Sequence, residues 1–288
     1  MNTDRDFPRG GLVEEYIYCD RTQSLQRLLV YVPASYFSKN NNNKSYPVLY
    51  LQHGVGGNEN QWTQFGKLPH LMDNLMHRGG CKEMLVVMGD GMLSRTIPNI
   101  KDETENWSNK NKQTAAVVPQ HDQMDYIDFL LKNVIPFIDE KYKTIPEKEG
   151  RAVAGFSMGS AQASVCGFQH YELFSYIGLL SGFIQCEYLE SLLGGNDTHL
   201  KVFKTFQKED SEKVQSFFKE TLKNKVFFRA MGEEDNFFPF FLKDDQFLAE
   251  HGIDNNSDDI IIRRTYKGST HSWEAMRKIL PDFLKLIF

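Results

Sequence analysis

Apolar positions along the chain fall into short runs of two kinds, and their alternation predicts the architecture. Residues 12–20 and 24–33 mix Leu25, Leu28, Val30 and Val32 with polar neighbours. The short polar turn at 20–23 between them predicts an antiparallel hairpin. Continuous apolar runs follow at 47–51 and 84–88, an apolar run at 151–154, and further predicted strands at 176–180, 225–231 and 260–266. Runs without polar alternation read as strands covered on both faces, as parallel strands are. Between them lie helical patterns. One spans 68–77 and is closed by Gly79-Gly80. The longest spans 126–142, with Ile127, Leu130, Leu131, Val134 and Ile138 at helical spacing and Pro136 predicted to bend or interrupt it. Others cover 160–170, a stretch from about Pro239, and an amphipathic 272–288 interrupted by Pro281.

Strands alternating with helices from end to end predict one α/β domain over 1–288, with a mostly parallel central sheet and helices on both faces. Three stretches depart from the alternation. The Asn-rich residues 40–43 read as a solvated loop. Residues 89–123 are polar and irregular, and a loop of that length inside a compact domain is usually functional. Residues 183–224 are charged and helix-prone, broken at Gly194-Gly195-Asn196-Asp197, and read as a small helical insertion or cap over the sheet edge.

Composition narrows the function classes. With 41% hydrophobic and 25% charged residues, the 288-residue chain can build a full core. A net charge of −5 leaves no electrostatic footprint for nucleic acid or an anionic membrane. No apolar run approaches the roughly 18–20 residues of a membrane span. Residues 1–6 carry no apolar segment of the secretory kind, so the expectation is a cytoplasmic chain as given, or a secreted or periplasmic one whose signal was trimmed. Cys19, Cys81, Cys166 and Cys186 lie far apart without a C-x-x-C pair, which predicts structural thiols and neither a metal site nor a disulfide scaffold. No cofactor is expected, and the oligomeric state stays open.

The chemistry concentrates where the run 151–154 enters Gly155-Phe156-Ser157-Met158-Gly159 and a helical pattern leaves it. Strand, G-x-S-x-G, helix is the context of a nucleophile elbow, in which a strained turn pushes a serine Oγ out at a strand end. A Gly/Ser turn between two core elements is the bland alternative. A serine hydroxyl needs a base, and the base needs an orienting acid. In the chain order nucleophile, acid, histidine, the histidine candidates are His251 and His271. His251 precedes Gly252 at a helix end, a place histidines favour for structural reasons. His271 lies in a polar loop between the last strand and the last helix and is the predicted base. Asp235, directly after the strand 225–231, is the predicted acid, with Glu234 and Glu233 as neighbours able to serve. These acids could equally cap the next helix. Acyl transfer also needs oxyanion donors. The Met158 N–H, after the nucleophile, is one. The loop His53-Gly54-Val55-Gly56-Gly57 follows an early strand where esterases carry an H-G-G-G-type motif, so the Val55 N–H is the other.

Taken together, Tyr46–Gly54 with Gly57–Trp62, Val86–Gly91, Gly155–Gly159 and Gly268–Trp273 resemble the putative-esterase (esterase D-like) family of α/β-hydrolases. Within it they are similar to the feruloyl and acetylxylan esterases of carbohydrate esterase family one. The resemblance implies an α/β-hydrolase fold and metal-independent ester hydrolysis through an acyl-enzyme, with Ser157, Asp235 and His271 as the triad and Val55 and Met158 as oxyanion donors. Ser160 stands where many members have a second glycine, and Gln52 where an aliphatic residue is usual. The leading expectation is a feruloyl (hydroxycinnamoyl) esterase acting on a small-molecule or oligosaccharide ester of plant carbohydrate. Alternatives are an acetylxylan or other small-acyl esterase, an S-formylglutathione hydrolase-like thioesterase, an acyltransferase, and a binding protein without catalysis. Phe237, Phe238, Trp107 and Trp273 are the candidate pocket residues, against the plainer reading that the phenylalanines anchor the next helix to the core.

Overall fold

The computed structural model describes residues 7–39, 43–93, 125–182, 184, 211–223, 225–253 and 261–288. Eight strands form one sheet: β1 (Gly11–Cys19), β2 (Ser24–Val32), β3 (Val48–Gln52), β4 (Leu85–Gly89), β5 (Arg151–Phe156), β6 (Tyr176–Leu180), β7 (Val226–Gly232) and β8 (Ile261–Tyr266). Their order is β1-β2-β4-β3-β5-β6-β7-β8. The hairpin closes on Cys19 opposite Ser24, β2 runs antiparallel to β4, and every later pairing is parallel. This is an α/β-hydrolase fold, and the parallel strands direct the loops after β3, β4, β5, β7 and β8 to one end of the sheet.

The described helices are α1 (Gln61–Gln64), α2 (Leu68–His77), α3 (Asp125–Phe129, a π-helical turn Leu130–Val134, then Ile135–Lys141), α4 (Met158–Gln169), α5 (Ser211–Leu222), α6 (Phe238–Glu250) and α7 (Trp273–Leu284). Strand residues alternate between two cores, one on each face of the sheet. Leu49, Leu51, Ala152 and Ala154 face a core completed by Leu68 and Met72 of α2 and by Met276, Ile279 and Phe283 of α7. Val48, Tyr50 and Val153 face the other, completed by Ile138 of α3, Phe168 of α4, Val214 and Phe218 of α5, and Phe241 and Leu248 of α6. Each buried Val, Leu, Ile, Phe or Met side chain among these contributes about 1.5–3 kcal/mol against leaving it in water.

Pro136 stands at the start of the second α-helical segment of α3, directly after the π turn that interrupts the α pattern. Proline lacks the N–H for the fourth carbonyl back and crowds that carbonyl, and the wider π turn lets the helix resume through it. Two boundaries differ from those the sequence predicts. Pro281 lies inside α7, which runs on to Leu284 with the loss of the one bond that a residue 281 N–H would make to the Arg277 carbonyl. Finally, α4 begins at Met158, not Ser160, since the elbow turn leads straight into the helix. Of the stretch 183–224, α5 packs Phe217 and Phe218 against Phe168, which in turn packs on Phe227 of β7, as one of the layer helices. Residues 183 and 185–210 lie outside the described residues, as do most of 89–123. Cys19, Cys81 and Cys166 are free, and burial pushes the Cys166 thiol up to about 12 and that of Cys81 to about 11. Among the described residues no helix is long and apolar enough to cross a membrane.

Candidate active site

Ser157 sits between β5 and α4 with φ 57° and ψ −116°, a strained backbone for a residue with a Cβ. The flanking glycines let three elements touch. A Cβ on Gly155 would lie 2.2 Å from the Gly159 carbonyl, and one on Gly159 would lie 2.6 Å from His53 O and 2.7 Å from Gln52 Cβ. Backbone contact between β5, α4 and the end of β3 therefore requires glycine at both places. Ser160 fits because its Oγ donates to Ser157 O at 2.6 Å and occupies the space beside Gly182. Gln52 is also accounted for. Its side chain donates to Tyr126 Oη at 3.2 Å, and its carbonyl accepts from Trp62 Nε1 at 2.8 Å.

β7 and β8 are neighbours in register Gly232↔Tyr266, so the loops that follow them meet. Glu233 N–H donates to Tyr266 O and Glu234 N–H to Ser269 O, at 3.1 and 3.0 Å. This stitching sets Asp235 against His271. Asp235 Oδ2 accepts from His271 Nδ1 at 2.8 Å, and His271 Nε2 lies 2.9 Å from Ser157 Oγ. A carboxylate only accepts, so the ring carries its proton on Nδ1 and presents Nε2 as an acceptor to the serine hydroxyl. The other oxygen of Asp235 accepts from Phe237 N–H at 2.9 Å, so the carboxylate also holds the turn into α6. The helix itself starts at Phe238, has Phe237 at its N-cap and carries no side-chain cap, so Asp235 holds the turn before the helix and not its first N–H groups. Glu233, by contrast, accepts from Thr265 at the surface, and His251 closes α6 with Nδ1 on Phe247 O at 2.8 Å.

The loop after β3 lies over Ser157. A Cβ on Gly54 would be 3.4 Å from Ser157 Cβ, and one on Gly57 would be 2.8 Å from His53 Nδ1. Among the described residues, no hydrogen bond uses the Val55 or Met158 N–H. The Val55 side chain is exposed and that of Met158 is buried. Aromatic rings surround the imidazole. Phe156 and Phe237 have ring centroids 4.7 and 4.9 Å from that of His271. Trp273 packs on Phe156, Trp62 and Phe65, and Phe238 stacks on Phe241. Trp107 lies outside the described residues. Among the described residues no cluster of His, Cys, Asp or Glu could hold a metal ion.

Residues 20–283 match the family described as "Putative esterase". The chain belongs to that esterase family. It is 33% identical over 179 residues to an endo-1,4-beta-xylanase/feruloyl esterase of Xylanibacter ruminicola, an alignment that covers 62% of this chain and 22% of that protein. The chain thus spans about a fifth of that relative's length. Two solved structures share the fold. A CE1 ferulic acid esterase from Anaeromyces mucronatus in complex with ferulic acid superposes with TM-score 0.71 at 19% identity, covering 99% of this chain and 93% of the other. An S-formylglutathione hydrolase from Staphylococcus aureus gives 0.65 at 12% identity, covering 96% and 98%.

Several supporting residues carry little signal in the sequence because their partners are distant along the chain. Gln162 of α4 donates to Gly91 O at 2.7 Å, and Gly91 N–H donates to His53 Nε2 at 2.9 Å. Arg229 of β7, fully buried, pairs with Asp244 and Asp245 of α6, the helix that follows Asp235. Its one visible signal was an arginine inside an otherwise apolar strand.

Proposed function

We propose that this esterase-family chain hydrolyses carboxylic esters through Ser157, His271 and Asp235, and that its acyl group is a hydroxycinnamoyl such as feruloyl. The observation that carries the first part is the unbroken hydrogen-bonded line from Ser157 Oγ through His271 to Asp235. In this reading Ser157 Oγ attacks the ester carbonyl as its proton passes to His271 Nε2. Asp235 holds the ring in the tautomer that can accept that proton and stabilises the imidazolium. The oxyanion rests on the Val55 and Met158 N–H groups, the latter an orphan donor at the start of α4. The alcohol departs with the proton from His271. Water then attacks the acyl-enzyme by the same route, releasing the acid and restoring Ser157. The whole chain acts as one domain, with residues 183–224 inserted between β6 and β7.

Support for the acyl group comes from the named relatives and from Phe237, half-buried with its ring edge-on to His271. We take Phe237, with Phe238, as an aromatic wall for the acyl chain, while Trp273 is engaged with Trp62 and Phe156. An aromatic pair contributes about 0.5–1.5 kcal/mol beyond its buried area. Phe237→Ala is therefore expected to lower the ratio of kcat/KM for methyl ferulate to that for 4-nitrophenyl acetate about tenfold. Using the ratio cancels any common effect through His271. A ratio unchanged in both Phe237→Ala and Phe238→Ala removes the aromatic wall. Faster turnover of acetylated xylan or S-formylglutathione than of methyl ferulate removes the feruloyl assignment and leaves the serine mechanism standing.

A further inference from the structure

The Gly54–Val55 peptide is braced by a buried histidine that takes no part in the proton transfers just described. His53 is 1% exposed. Gly91 N–H lies 2.9 Å from its Nε2. An amide N–H can only donate, so Nε2 is an acceptor and the neutral ring carries its proton on Nδ1. Nδ1 lies 2.7 Å from Gly54 O, which also accepts from Gly57 N–H at 3.1 Å. The brace is itself held. Gly91 O accepts from Gln162 on α4, one turn beyond the nucleophile. Asp90 Oδ1, 3.4 Å from Nε2, accepts from Met92 N–H at 2.9 Å.

We infer that His53 is a positioning residue for the oxyanion site, an inference that rests on Val55 and Met158 being its donors. In a planar trans peptide the C=O and the next N–H point to opposite sides. With Gly54 O turned onto His53 Nδ1 and Gly57, the Val55 N–H is turned the other way, where Gly54 lies against Ser157. The ring aims the donor without touching substrate. Through Gly91, Gln162 locks the ring to the helix that starts at the nucleophile, so the loops after β3 and β4 and the start of α4 form one bonded unit. A donor fixed before the reaction costs no reorganisation in the transition state, and one such donor is worth about 10²–10³ in rate.

The test measures kcat and KM for 4-nitrophenyl acetate, and affinity for a trifluoromethyl ketone, in His53→Ala, His53→Asn and Ser157→Ala. The ketone forms an oxyanion on Ser157 and so reports the donors directly. His53→Ala is expected to lower kcat about 10²-fold with KM within twofold, and ketone affinity in the same proportion. Asparagine keeps an N–H near the position of Nδ1 and recovers about tenfold of that loss. A folded His53→Ala protein with kcat within threefold of wild type overturns the inference. So does a loss confined to KM, or a loss of kcat with ketone affinity unchanged. If the alanine variant does not fold, His53→Asn decides alone: kcat and ketone affinity falling together about tenfold support the inference, and wild-type values of both overturn it. Wild-type turnover in Ser157→Ala would instead overturn the nucleophile assignment, whatever the His53 variants do.

Discussion

Asp235→Asn is expected to lower kcat about 10⁴-fold while leaving the fold and KM nearly unchanged. The geometry gives the reason. Asparagine can still accept from Phe237 N–H through the oxygen that faces it, so the turn into α6 survives. Its amide nitrogen then faces His271 Nδ1, where the carboxylate oxygen stands at 2.8 Å. That amide donates, so Nδ1 must become an acceptor and the ring proton moves to Nε2. An Nε2–H cannot take the proton of Ser157 Oγ 2.9 Å away. Loss of the productive tautomer, with geometry intact, has about this cost in serine triads. Steady-state kinetics on a 4-nitrophenyl ester, with a thermal melt as control, measures it. A decrease below tenfold in a folded variant would mean that Asp235 serves only the turn.

Arg229→Met is expected to destabilise the protein by about 3–5 kcal/mol, the second large effect. Arg229 is fully buried on β7, as is Asp244 opposite it. Its guanidinium donates to Asp245 Oδ1 at 2.6 Å, to Asp244 Oδ2 at 3.1 Å and to Phe241 O at 3.0 Å, and lies 4.0 Å over the Phe241 ring. Arg263 of β8 pairs with Asp245 at 2.7 Å, so two cations meet two anions. Asp244 Oδ2 also accepts from Ile184 N–H at 2.6 Å, tying the loop after β6 to α6. Methionine fills the volume but leaves the Asp244 carboxylate buried beside one fewer cation. At roughly 2–4 °C per kcal/mol for a chain of this size, the melting temperature should fall by on the order of 10 °C. The double variant Arg229→Met/Asp244→Leu should recover more than half of that, because the stranded charge is gone. No recovery would assign the loss to packing alone.

The two effects mark what the sequence could and could not disclose. Elements bounded by strong local signals were legible to the residue. The helix Leu68–His77 ends at Gly79, with φ 66°, and Gly80 N–H on Leu75 O, and the strand Tyr176–Leu180 stops at Ser181-Gly182. Positions that depend on a neighbour's geometry were not. The form of the interruption at Pro136, a π turn just before it, has no local signal, and α4 begins two residues early because Ser157 itself turns into the helix. For the site, the order of motifs named the residues that the fold brings together at Ser157, Asp235 and His271. The supporting polar pairs stayed hidden. His53, Gly91 and Gln162 meet from three elements, and Arg229 and Asp244 from two. Hydrophobic periodicity reports how one element faces the core and carries nothing about which polar groups meet across it.

Ser157 is read above as a nucleophile activated by His271. Labelling with a fluorophosphonate, read by intact-protein mass spectrometry and peptide mapping, tests it most directly. The wild-type protein should gain one adduct, mapped to the peptide containing Ser157. His271→Ala should label several orders of magnitude more slowly, and Ser157→Ala not at all. An unlabelled wild-type protein, or an undiminished adduct on Ser157→Ala, would mean that Ser157 is not an activated nucleophile.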